Sequence, residues 1–569
     1  MKSKIIIQVV GFILLCLSPA VSECVEHLAQ VLAQPLEVAM TLGGDDRIII
    51  PAGAAVNKYF TGPFYHPCTI ARSSSTSSSI SLSGFDAARK LFGRLRSAQA
   101  EGSAEKIFDL SMHAVRAEIK HFWGSRALKP CSVITTPSGS DGEMLPAFAA
   151  LARHSLWGIK TDSEANPLVT NIVIASGEVG SGTALAAGLK HFSSLVPSGN
   201  SVVNGTSITG VTGSEVAVLE LKIRDEQGVV IPADELENSI AIILQKAIEQ
   251  EGQIGVLHMV HACKTGIGAP REIFVQAMKS LYKDKLVVVI DAAQLRMDEP
   301  VVSSWLDKGF WVLITGSKFL GGPSFSGAVL IPKDEAASFG QVLAEKIPAG
   351  LGDYFTQADC DEYFDNFKQA LPGWYNVGLV LRWQAALAEA SRFYTTNSLR
   401  RDPWLAVWAR DVRTFVDRSQ RLTLLENITN SEPSGVLAEN IGKCNSVVSF
   451  GVRATTEAGE NNYLNIAQLR KVHQLMTLDL RPLLPGLTVQ ASDVAKTLCL
   501  IGQPVQIGTA APCQAVLRMA IGAPELFEVM QFKNFDPAIL INDVLIDDRV
   551  VIQKIELIAN NWAVFSRVK

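Results

Sequence analysis

The sequence predicts an α/β fold, in which a large and mostly parallel sheet is followed by a smaller α+β domain. Short Val- and Ile-rich runs alternate with helical stretches from about Lys129 onward, these runs lack strict polar alternation, and the pattern changes beyond Gly373. Strands that are apolar along their whole length are covered on both faces, as in a parallel sheet between layers of helices. Ligands bind beyond the carboxyl ends of such strands.

The large domain is predicted over residues 126–375, where strands and helices alternate in chain order. A helix over Met144–Leu156 follows the first run, and further helices are predicted at TALAAGLKHF, ADELENSIAIILQKAIEQ and PREIFVQAMKSLY. The predicted strands are the seven runs CSVITTP, LVTNIVIAS, EVAVLELKI, IGVLHMVHA, LVVVIDAA, FWVLITGS and SGAVLIP. These runs imply a seven-stranded sheet.

The rest of the chain divides into two further parts. Residues 376–569 are predicted to form a bridging helix (GLVLRWQAALAEASRFY) and a small domain with strands at SVVSFGVRA, TLCLIG and VLRMAIG and a helix at NIAQLRKVHQLMTLDL. Residues 23–125 are predicted to form an N-terminal segment that packs on the site and on the small domain. Its Ser-rich stretch has the composition of a linker, but its apolar and amphipathic flanks favour an ordered segment.

Residues 1–22 have the layout of a secretory signal peptide. Two lysines precede an apolar stretch from Ile5 to Leu17, and the small residues Ala20 and Ser22 suit a cleavage site. A buried N-terminal helix or a wrongly chosen start codon is the alternative. The leader predicts a secreted or periplasmic protein, with a cytoplasmic protein as the alternative. No later stretch reaches about 18 apolar residues, so no membrane association is expected after the leader is removed.

Composition and charge exclude several classes of function. The chain has 569 residues, 48% of them hydrophobic, and a formal net charge of -5. It has no basic block or acidic tail, so no nucleic-acid partner is predicted. Its nine cysteines include no C-x-x-C pair or other metal spacing, so neither a metal site nor a disulfide scaffold is expected.

The residues predicted to form a site follow the ends of three apolar runs. Lys318 comes shortly after FWVLIT, and Asp291 and Gln294 follow LVVVI in the sequence DAAQ. Between the first strand and its helix, residues 138–141 read SGSD. Backbone N–H groups in such a turn, together with a helix N-terminus, attract an anion.

An amine, a carboxylate and an anion site are three needs of pyridoxal 5'-phosphate. The amine holds its aldehyde, the carboxylate keeps its ring nitrogen protonated, and the phosphate needs several donors. We therefore expect Lys318 to be the catalytic amine and Asp291 the partner of the ring nitrogen, with Gln294 near the ring hydroxyl. The predicted cofactor-binding residues are Asp291, Gln294, Ser138, Gly139, Ser140, Thr315 and Lys318.

Several of these segments resemble class V aminotransferases, the family that includes cysteine desulfurases and kynureninases. The stretch TGSKFLGGPSFSG resembles the family's S-x-H-K-x-x-G-P-x-G region, and DAAQ resembles its D-x-A-Q. VLRMAIG resembles its VR-I-S-x-G segment, whose arginine binds the substrate carboxylate, and Arg518 matches that arginine. The chain departs from the pattern at Ser317, where many members have His. For the residue that stacks on the cofactor ring, His191 and His258 are weak candidates.

The resemblance implies a fold-type I enzyme in which Lys318 forms an aldimine with pyridoxal phosphate. It implies a homodimer that acts on a small-molecule amino acid, as an aminotransferase or as a lyase for C–S cleavage or β-elimination. A desulfurase nucleophile is possible but not preferred, because Cys360 comes too early and Cys499 and Cys513 lie in apolar, strand-like surroundings. The alternative is an exported binding or interaction protein that retains the fold without turnover.

Two motifs are left without a role by this interpretation. GEVGSGT resembles a phosphate-binding loop, but Thr183 is not preceded by the lysine that a P-loop needs. HACKTGIGAP contains Lys264, for which a surface position is favoured over a contact with the substrate.

Overall fold

The computed structural model describes residues 19–51, 54–66, 68–124, 131–156, 167–396, 398–429, 446–455, 461–531 and 537–567. The predicted leader lies outside these ranges, apart from residues 19–22, which begin the first helix. The strands are β1 Thr69–Arg72, β2 Ser132–Thr136, β3 Val169–Ile174, β4 Val216–Leu221, β5 Ile254–Val260, β6 Leu286–Ala292, β7 Trp311–Thr315, β8 Gly327–Ile331, β9 Leu422–Leu424, β10 Val447–Thr455, β11 Asn461–Tyr463, β12 Leu498–Gln506 and β13 Ala515–Ala520.

The α-helices vary from single turns to rods of 24 residues. They are α1 Pro19–Ala33, α2 Leu36–Ala39, α3 Leu82–Ala100, α4 Ala104–Trp123, α5 Gly139–Gly142, α6 Met144–Leu156, α7 Thr183–Ala187, α8 Ala233–Gln245, α9 Glu272–Tyr282, α10 Glu299–Asp307, α11 Lys333–Gly340, α12 Asp365–Ala370, α13 Val377–Phe393, α14 Ser398–Arg418, α15 Leu425–Thr429, α16 Ile466–Met476, α17 Val489–Lys496, α18 Ala523–Met530, α19 Pro537–Asn560 and α20 Trp562–Phe565. No helix within the described ranges is both long enough and apolar enough to span a bilayer.

Seven strands form the large sheet, in the order β2-β8-β7-β6-β5-β3-β4. Strand β8 runs antiparallel to β2 and β7, and the remaining neighbours are parallel. All seven runs that were predicted as strands lie in this sheet. The predicted fold class, α/β with a large and mostly parallel seven-stranded sheet, is confirmed.

The large sheet is buried on both faces, which explains why its strands read as continuous apolar runs. Along β6, Leu286, Val288 and Ile290 pack into one apolar core, and the alternate residues Val287 and Val289 pack into the other. Successive side chains of a strand point to opposite faces, so both sets need apolar partners. Burying each such side chain stabilises the fold by roughly 1.5–3 kcal/mol.

A second, smaller sheet contains strands from both ends of the chain. Its order is β1-β12-β13-β10-β11, and β9 pairs with β10. Strand β1 comes from the N-terminal segment and pairs in parallel with β12, with Thr69 opposite Leu498. The Nε of Arg72 lies 2.6 Å from Oδ1 of Asp548 in α19, and both side chains are buried. The N-terminal segment therefore completes the sheet of the C-terminal domain.

One predicted helix is much shorter in the structure than its sequence pattern suggested. The stretch TALAAGLKHF was expected to be helical, but α7 ends at Ala187. Gly188 follows, and Leu189 adopts a left-handed conformation with φ of 54°. Lys190 then pairs with Ser207 in an isolated bridge, so the chain turns away from the helix axis.

Candidate active site

A cavity opens beyond the carboxyl ends of β2, β6 and β7, where the sequence placed its site. Its wall combines the large domain, the Ser-rich N-terminal segment and one residue of β12. The lining residues are Arg47, Tyr59, Ser75, Thr76, Ser77, Ser138, Gly139, Ser140, Glu143, Gly180, Ser181, Thr183, Lys264, Asp291, Ala293, Leu313, Thr315, Ser317, Lys318, Ser324, Phe325 and Gln503.

Lys318 reaches the cavity from a tight turn that begins where β7 ends. The turn is closed by hydrogen bonds from Gly316 N to Ser326 O at 2.8 Å and from Gly322 N to Gly316 O at 2.9 Å. A glycine is required at 316 because a Cβ atom there would lie 2.4 Å from Cβ of Ala386 in α13. The lysine is thus presented by a turn packed directly on the bridging helix.

Burial lowers the pKa of Lys318 to about 8. The nearby Asp291 carboxylate opposes this shift, whereas the cations of Arg518, Arg296 and Arg47 add to it. A substantial fraction of the Lys318 amine is therefore neutral near pH 8, and a neutral amine is nucleophilic and can accept a proton.

Asp291 lies at the end of β6 and lines the same cavity as Lys318. Its Oδ1 accepts a hydrogen bond from the backbone N–H of Ala293 at 3.0 Å. Glu143 also lines the cavity, and burial followed by the Asp291 charge raises the pKa of the Glu143 carboxyl well above its usual range. Two carboxyl groups therefore face one cavity, and the raised pKa of Glu143 favours the protonated form of that carboxyl.

Hydroxyl groups and one arginine form a polar corner at the start of α5. Ser138 Oγ donates to Asp141 Oδ2 at 2.6 Å, and Arg47 donates to Ser138 Oγ at 3.2 Å and to Ser140 Oγ at 3.3 Å. Asp45 holds the Arg47 side chain, with an Nη2–Oδ2 distance of 2.6 Å. Serine hydroxyls, an arginine and backbone N–H groups are the donors that a phosphate needs.

The Ser-rich segment is ordered and lies along the turn that carries Lys318. Ser78 N donates to Ser317 O at 3.1 Å, and Ser78 Oγ donates to Lys318 O at 2.6 Å. Ser77 Oγ is hydrogen-bonded to Ser324 Oγ. Within the described residues, Ser75 Oγ is buried and lines the cavity without a hydrogen-bond partner. The segment thus contributes hydroxyl groups to the cavity wall.

Six of the eight residues predicted for the site line this cavity, and two do not. Ser138, Gly139, Ser140, Asp291, Thr315 and Lys318 come together, although Thr315 Oγ1 donates to Ala293 O at 2.6 Å. Gln294 and Arg518 are buried beside the cavity wall. Gln294 Nε2 donates to Ser75 O at 2.9 Å, so its amide binds the Ser-rich segment rather than facing the cavity.

The arginine predicted to bind substrate, Arg518, lies in β13 with its guanidinium saturated by protein acceptors. Its Nε donates to Gln503 O at 3.1 Å, and Nη2 donates to Gln503 O at 2.6 Å and to Thr76 Oγ1 at 2.8 Å. Its Nη1 donates to Lys264 O at 3.0 Å and to Ser75 O at 3.4 Å. All five N–H groups are thus engaged, which leaves none directed into the cavity.

The weak candidates for ring stacking and for a nucleophilic thiol also lie outside the lining. His191 Nδ1 lies 2.6 Å from Tyr354 Oη, and His258 is buried with Nδ1 3.4 Å from Glu143 Oε2. Burial raises the pKa of the Cys499 and Cys513 thiols to about 11. Burial also raises the pKa of Cys360. Within the described part of the chain, the aromatic side chains that line the cavity are Tyr59 and Phe325.

Sequence reasoning did not assign Arg47, Tyr59, Lys264 or Gln503 to the site. Arg47 and Tyr59 belong to the N-terminal segment, and Gln503 belongs to a strand near the other end of the chain. The apolar flank RIIIPAG indicated that this segment was ordered, but no local pattern identifies which of its side chains faces the cavity.

Comparison with known proteins gives similarity in structure but no match in sequence. No protein-family model matches the chain, and no curated protein sequence matches it. Among solved structures, it is similar to the cysteine desulfurase CsdA from Escherichia coli, with 12% identity, a TM-score of 0.47 and coverage of 86% of this chain and 95% of that one.

Two further solved structures show a similar level of resemblance. A NifS-like protein from Rickettsia africae has 11% identity and a TM-score of 0.45, over 86% of this chain and 99% of that one. Mouse CSAD in its apo form has 15% identity and a TM-score of 0.47, over 87% of this chain and 84% of that one. At these values the similarities indicate no activity, substrate or partner for this chain.

Proposed function

We propose that this protein is a pyridoxal phosphate-dependent enzyme that acts on an amino acid, as an aminotransferase or as a lyase for β-elimination or C–S cleavage. The observation that carries the proposal is the shared cavity of Lys318 and Asp291, in which the pKa of the lysine is lowered to about 8. A surface lysine in a glycine turn has neither property.

The residues of the cavity fit the chemical groups of this cofactor. Lys318 would hold the aldehyde, Asp291 would hold a proton on the ring nitrogen, and Ser138, Ser140 and Arg47 would bind the phosphate. The hydroxyl of Ser75, which has no hydrogen-bond partner among the described residues, offers one more polar contact. When bound, the cofactor supplies an electron sink for the negative charge that develops at the substrate α-carbon.

The chain's own residues would handle protons and solvent in this reaction. Lys318 Nζ, in its neutral form, accepts the proton from the substrate α-carbon and can return it to another atom. Asp291 would be the partner of the ring nitrogen, and Glu143, whose pKa burial raises, would add no second negative charge. The burial of Ser317 and Ser324 around the turn limits the access of water to Lys318.

Binding of pyridoxal phosphate to the purified protein tests this proposal. We expect a visible absorbance band on adding the cofactor, and borohydride should then attach the cofactor to Lys318, as found by peptide mass spectrometry. Lys318→Ala should abolish both signals, while Lys496→Ala, which removes an exposed lysine paired with Asp493, should leave them unchanged. Absence of the band in unmodified protein would favour an exported binding protein instead.

Release of keto acid, ammonia or sulfide from a panel of amino acids separates the two reaction types. Keto acid formed only with an amino-group acceptor indicates transamination, and ammonia or sulfide released without an acceptor indicates a lyase. We also propose a homodimer and a secreted or periplasmic location. Light scattering tests the dimer, and N-terminal sequencing of the mature protein tests removal of the leader, which a start at Met1 would contradict.

A further inference from the structure

The two motifs without a role, GEVGSGT and HACKTGIGAP, contact each other at the cavity. Their contacts surround Lys264, which belongs to the second motif. Lys264 N donates to Glu178 O at 2.9 Å, which joins the two segments through their backbones. The Glu178 carboxylate accepts hydrogen bonds from Thr265 Oγ1 and, at 3.2 Å, from Cys263 Sγ. Both neighbours of Lys264 are thus bound to the same buried carboxylate.

This carboxylate is itself held in place by a buried ion pair. Arg224 Nε lies 2.8 Å from Glu178 Oε1, and both side chains are buried. Arg224 also donates to Thr265 Oγ1 at 3.1 Å. The pairing keeps the pKa of Glu178 below its usual range despite burial, so the Glu178 carboxylate stays charged.

Arg518 supports Lys264 from the opposite side. Its Nη1 donates to the backbone carbonyl of Lys264 at 3.0 Å, and its other N–H groups bind Gln503, Thr76 and Ser75. The backbone of Lys264 is therefore held by Glu178 at its N–H and by Arg518 at its C=O. A lysine on the open surface would not be expected to have its backbone fixed by two buried side-chain networks.

Lys264 lines the cavity, and its ammonium group retains unused donors among the described residues. It lines both the inner cavity and an outer groove, as do Tyr59, Gly180, Ser181 and Gln503. Among the described residues, its Nζ has one hydrogen-bond acceptor, Gly177 O at 3.3 Å, and no carboxylate within 4.0 Å. An ammonium group carries three donors, so two remain for a ligand.

The outer groove carries further positive charge. Lys58, Arg470 and Lys471 line it together with Lys264, and Glu220 is the acidic residue among the described residues of its wall. A groove in which cationic side chains outnumber acidic ones raises the local concentration of anionic ligands. Lys264 lines both this groove and the inner cavity, whereas Lys318 lines only the inner cavity.

We propose that Lys264 binds the carboxylate of the amino-acid substrate, and that Arg518 is the residue that positions Lys264. This inference rests on the proposed function and names the group of the substrate that is recognised. All N–H groups of Arg518 are bound to protein acceptors, whereas Lys264 has donors left for a ligand. The inference therefore assigns binding of the substrate carboxylate to Lys264.

Two small nucleophiles test the proposal in the cofactor-loaded protein. Aminooxyacetate and methoxyamine both react with the bound aldehyde and abolish the visible band, but only aminooxyacetate carries a carboxylate. Lys264→Gln should slow the reaction of aminooxyacetate by about 10–100-fold, the effect of removing a charge-assisted hydrogen bond, and change that of methoxyamine by less than about twofold. Lys264→Arg should recover part of the rate with aminooxyacetate.

Control variants distinguish the loss of the Lys264 contact from a general loss of positive charge in the groove and from failure of the cofactor assignment. Lys471→Gln removes a groove charge outside the inner cavity and should affect aminooxyacetate by less than about threefold at 0.15 M salt. Equal effects of Lys264→Gln on both probes, or no effect on either, would overturn the proposal. If neither probe changes the spectrum of the unmodified protein, the cofactor assignment fails instead.

A second measurement uses the protein without cofactor. Acetate should protect Lys264 from acylation by an amine-directed reagent at pH 8, as followed by peptide mass spectrometry. The exposed Lys496 is the internal control and should be labelled at the same rate with or without acetate. Labelling of Lys264 that acetate leaves unchanged would contradict the proposal even if the cofactor assignment fails.

Discussion

The guanidinium of Arg47 donates a hydrogen bond to the hydroxyl of Ser138 at 3.2 Å, and so joins the N-terminal segment to the first turn of the large domain. The residues are 91 positions apart, and both line the cavity. Asp45 orients the guanidinium but leaves it positioned beside two serine hydroxyls. The arginine is therefore placed to bind an anion at this corner.

Arg47→Gln should weaken the binding of pyridoxal phosphate by about 10–100-fold, since a hydrogen bond to a charged group is worth about 1.5–3 kcal/mol. Titration of the cofactor into cofactor-free protein measures the change. Arg89→Gln, which removes an exposed arginine paired with Asp86, is the matched control and should leave the affinity unchanged. Equal affinities of Arg47→Gln and unmodified protein would contradict the assignment of this corner to the phosphate.

The reaction of Lys318 with the cofactor aldehyde should depend on pH with a midpoint near 8. Burial lowers the pKa of this amine, so the reactive neutral form increases as pH rises through about 8 instead of near 10.5. Stopped-flow absorbance from pH 6 to 10 measures the rate of binding to cofactor-free protein. Asp291→Asn removes the charge that raises this pKa and should move the midpoint to lower pH.

A midpoint near 10 for the unmodified protein would show that the amine is solvated rather than buried. A midpoint that rises in Asp291→Asn would show that Asp291 does not stabilise the ammonium form. Each of these results contradicts the arrangement of the two side chains described above.

Gly316→Ala should destabilise the protein by about 1–3 kcal/mol and weaken the cofactor band, because the added methyl group overlaps α13. The new Cβ would lie 2.4 Å from Cβ of Ala386, so the double variant Gly316→Ala/Ala386→Gly should recover part of the loss. Urea unfolding measures the free energy. Gly93→Ala should be neutral or stabilising, because Gly93 is exposed in α3 and, among the described residues, a Cβ there would meet no atom within 4 Å beyond its chain neighbours and its own helix backbone.

Full stability of Gly316→Ala would show that the turn before Lys318 does not pack on the bridging helix as described. Failure of Ala386→Gly to recover any of the loss would show that another neighbour of Gly316, such as Ser326, determines the effect.

Arg72→Met should destabilise the protein by about 3–5 kcal/mol, because it leaves the Asp548 carboxylate buried without its cation. That carboxylate also accepts from Trp408 Nε1 at 2.9 Å, so it cannot move to solvent without breaking a second contact. Arg72→Met/Asp548→Leu should be more stable than the single variant. Arg89→Met, at an exposed pair, should cost at most about 1 kcal/mol, and equal losses for Arg72 and Arg89 would refute the anchoring role of β1.

The strands of the large sheet and the central residues of the cavity were predictable because their signals are local. A strand buried on both faces must be apolar throughout, and the chain segments that leave the carboxyl ends of neighbouring parallel strands meet at one edge. Asp291 lies near the end of β6 and Lys318 follows β7. These strands are adjacent in the sheet, so the proximity of the two side chains follows from those two rules. The expected helix at TALAAGLKHF was wrong because apolar spacing alone did not reveal the turn at Leu189.

The amino-acid order alone determined where the strands of the large sheet run and which amine and carboxylate follow their ends, because each of those features depends on neighbours along the chain. The folded chain determined the rest: Arg47 and the Ser-rich segment come from far upstream, and β1 pairs with a strand more than 400 positions later. The orientation of the Arg518 guanidinium and the contacts that hold the backbone of Lys264 depend on hydrogen bonds between distant segments. A contact of that kind leaves no periodic pattern in either segment, so it becomes visible only when both are in place.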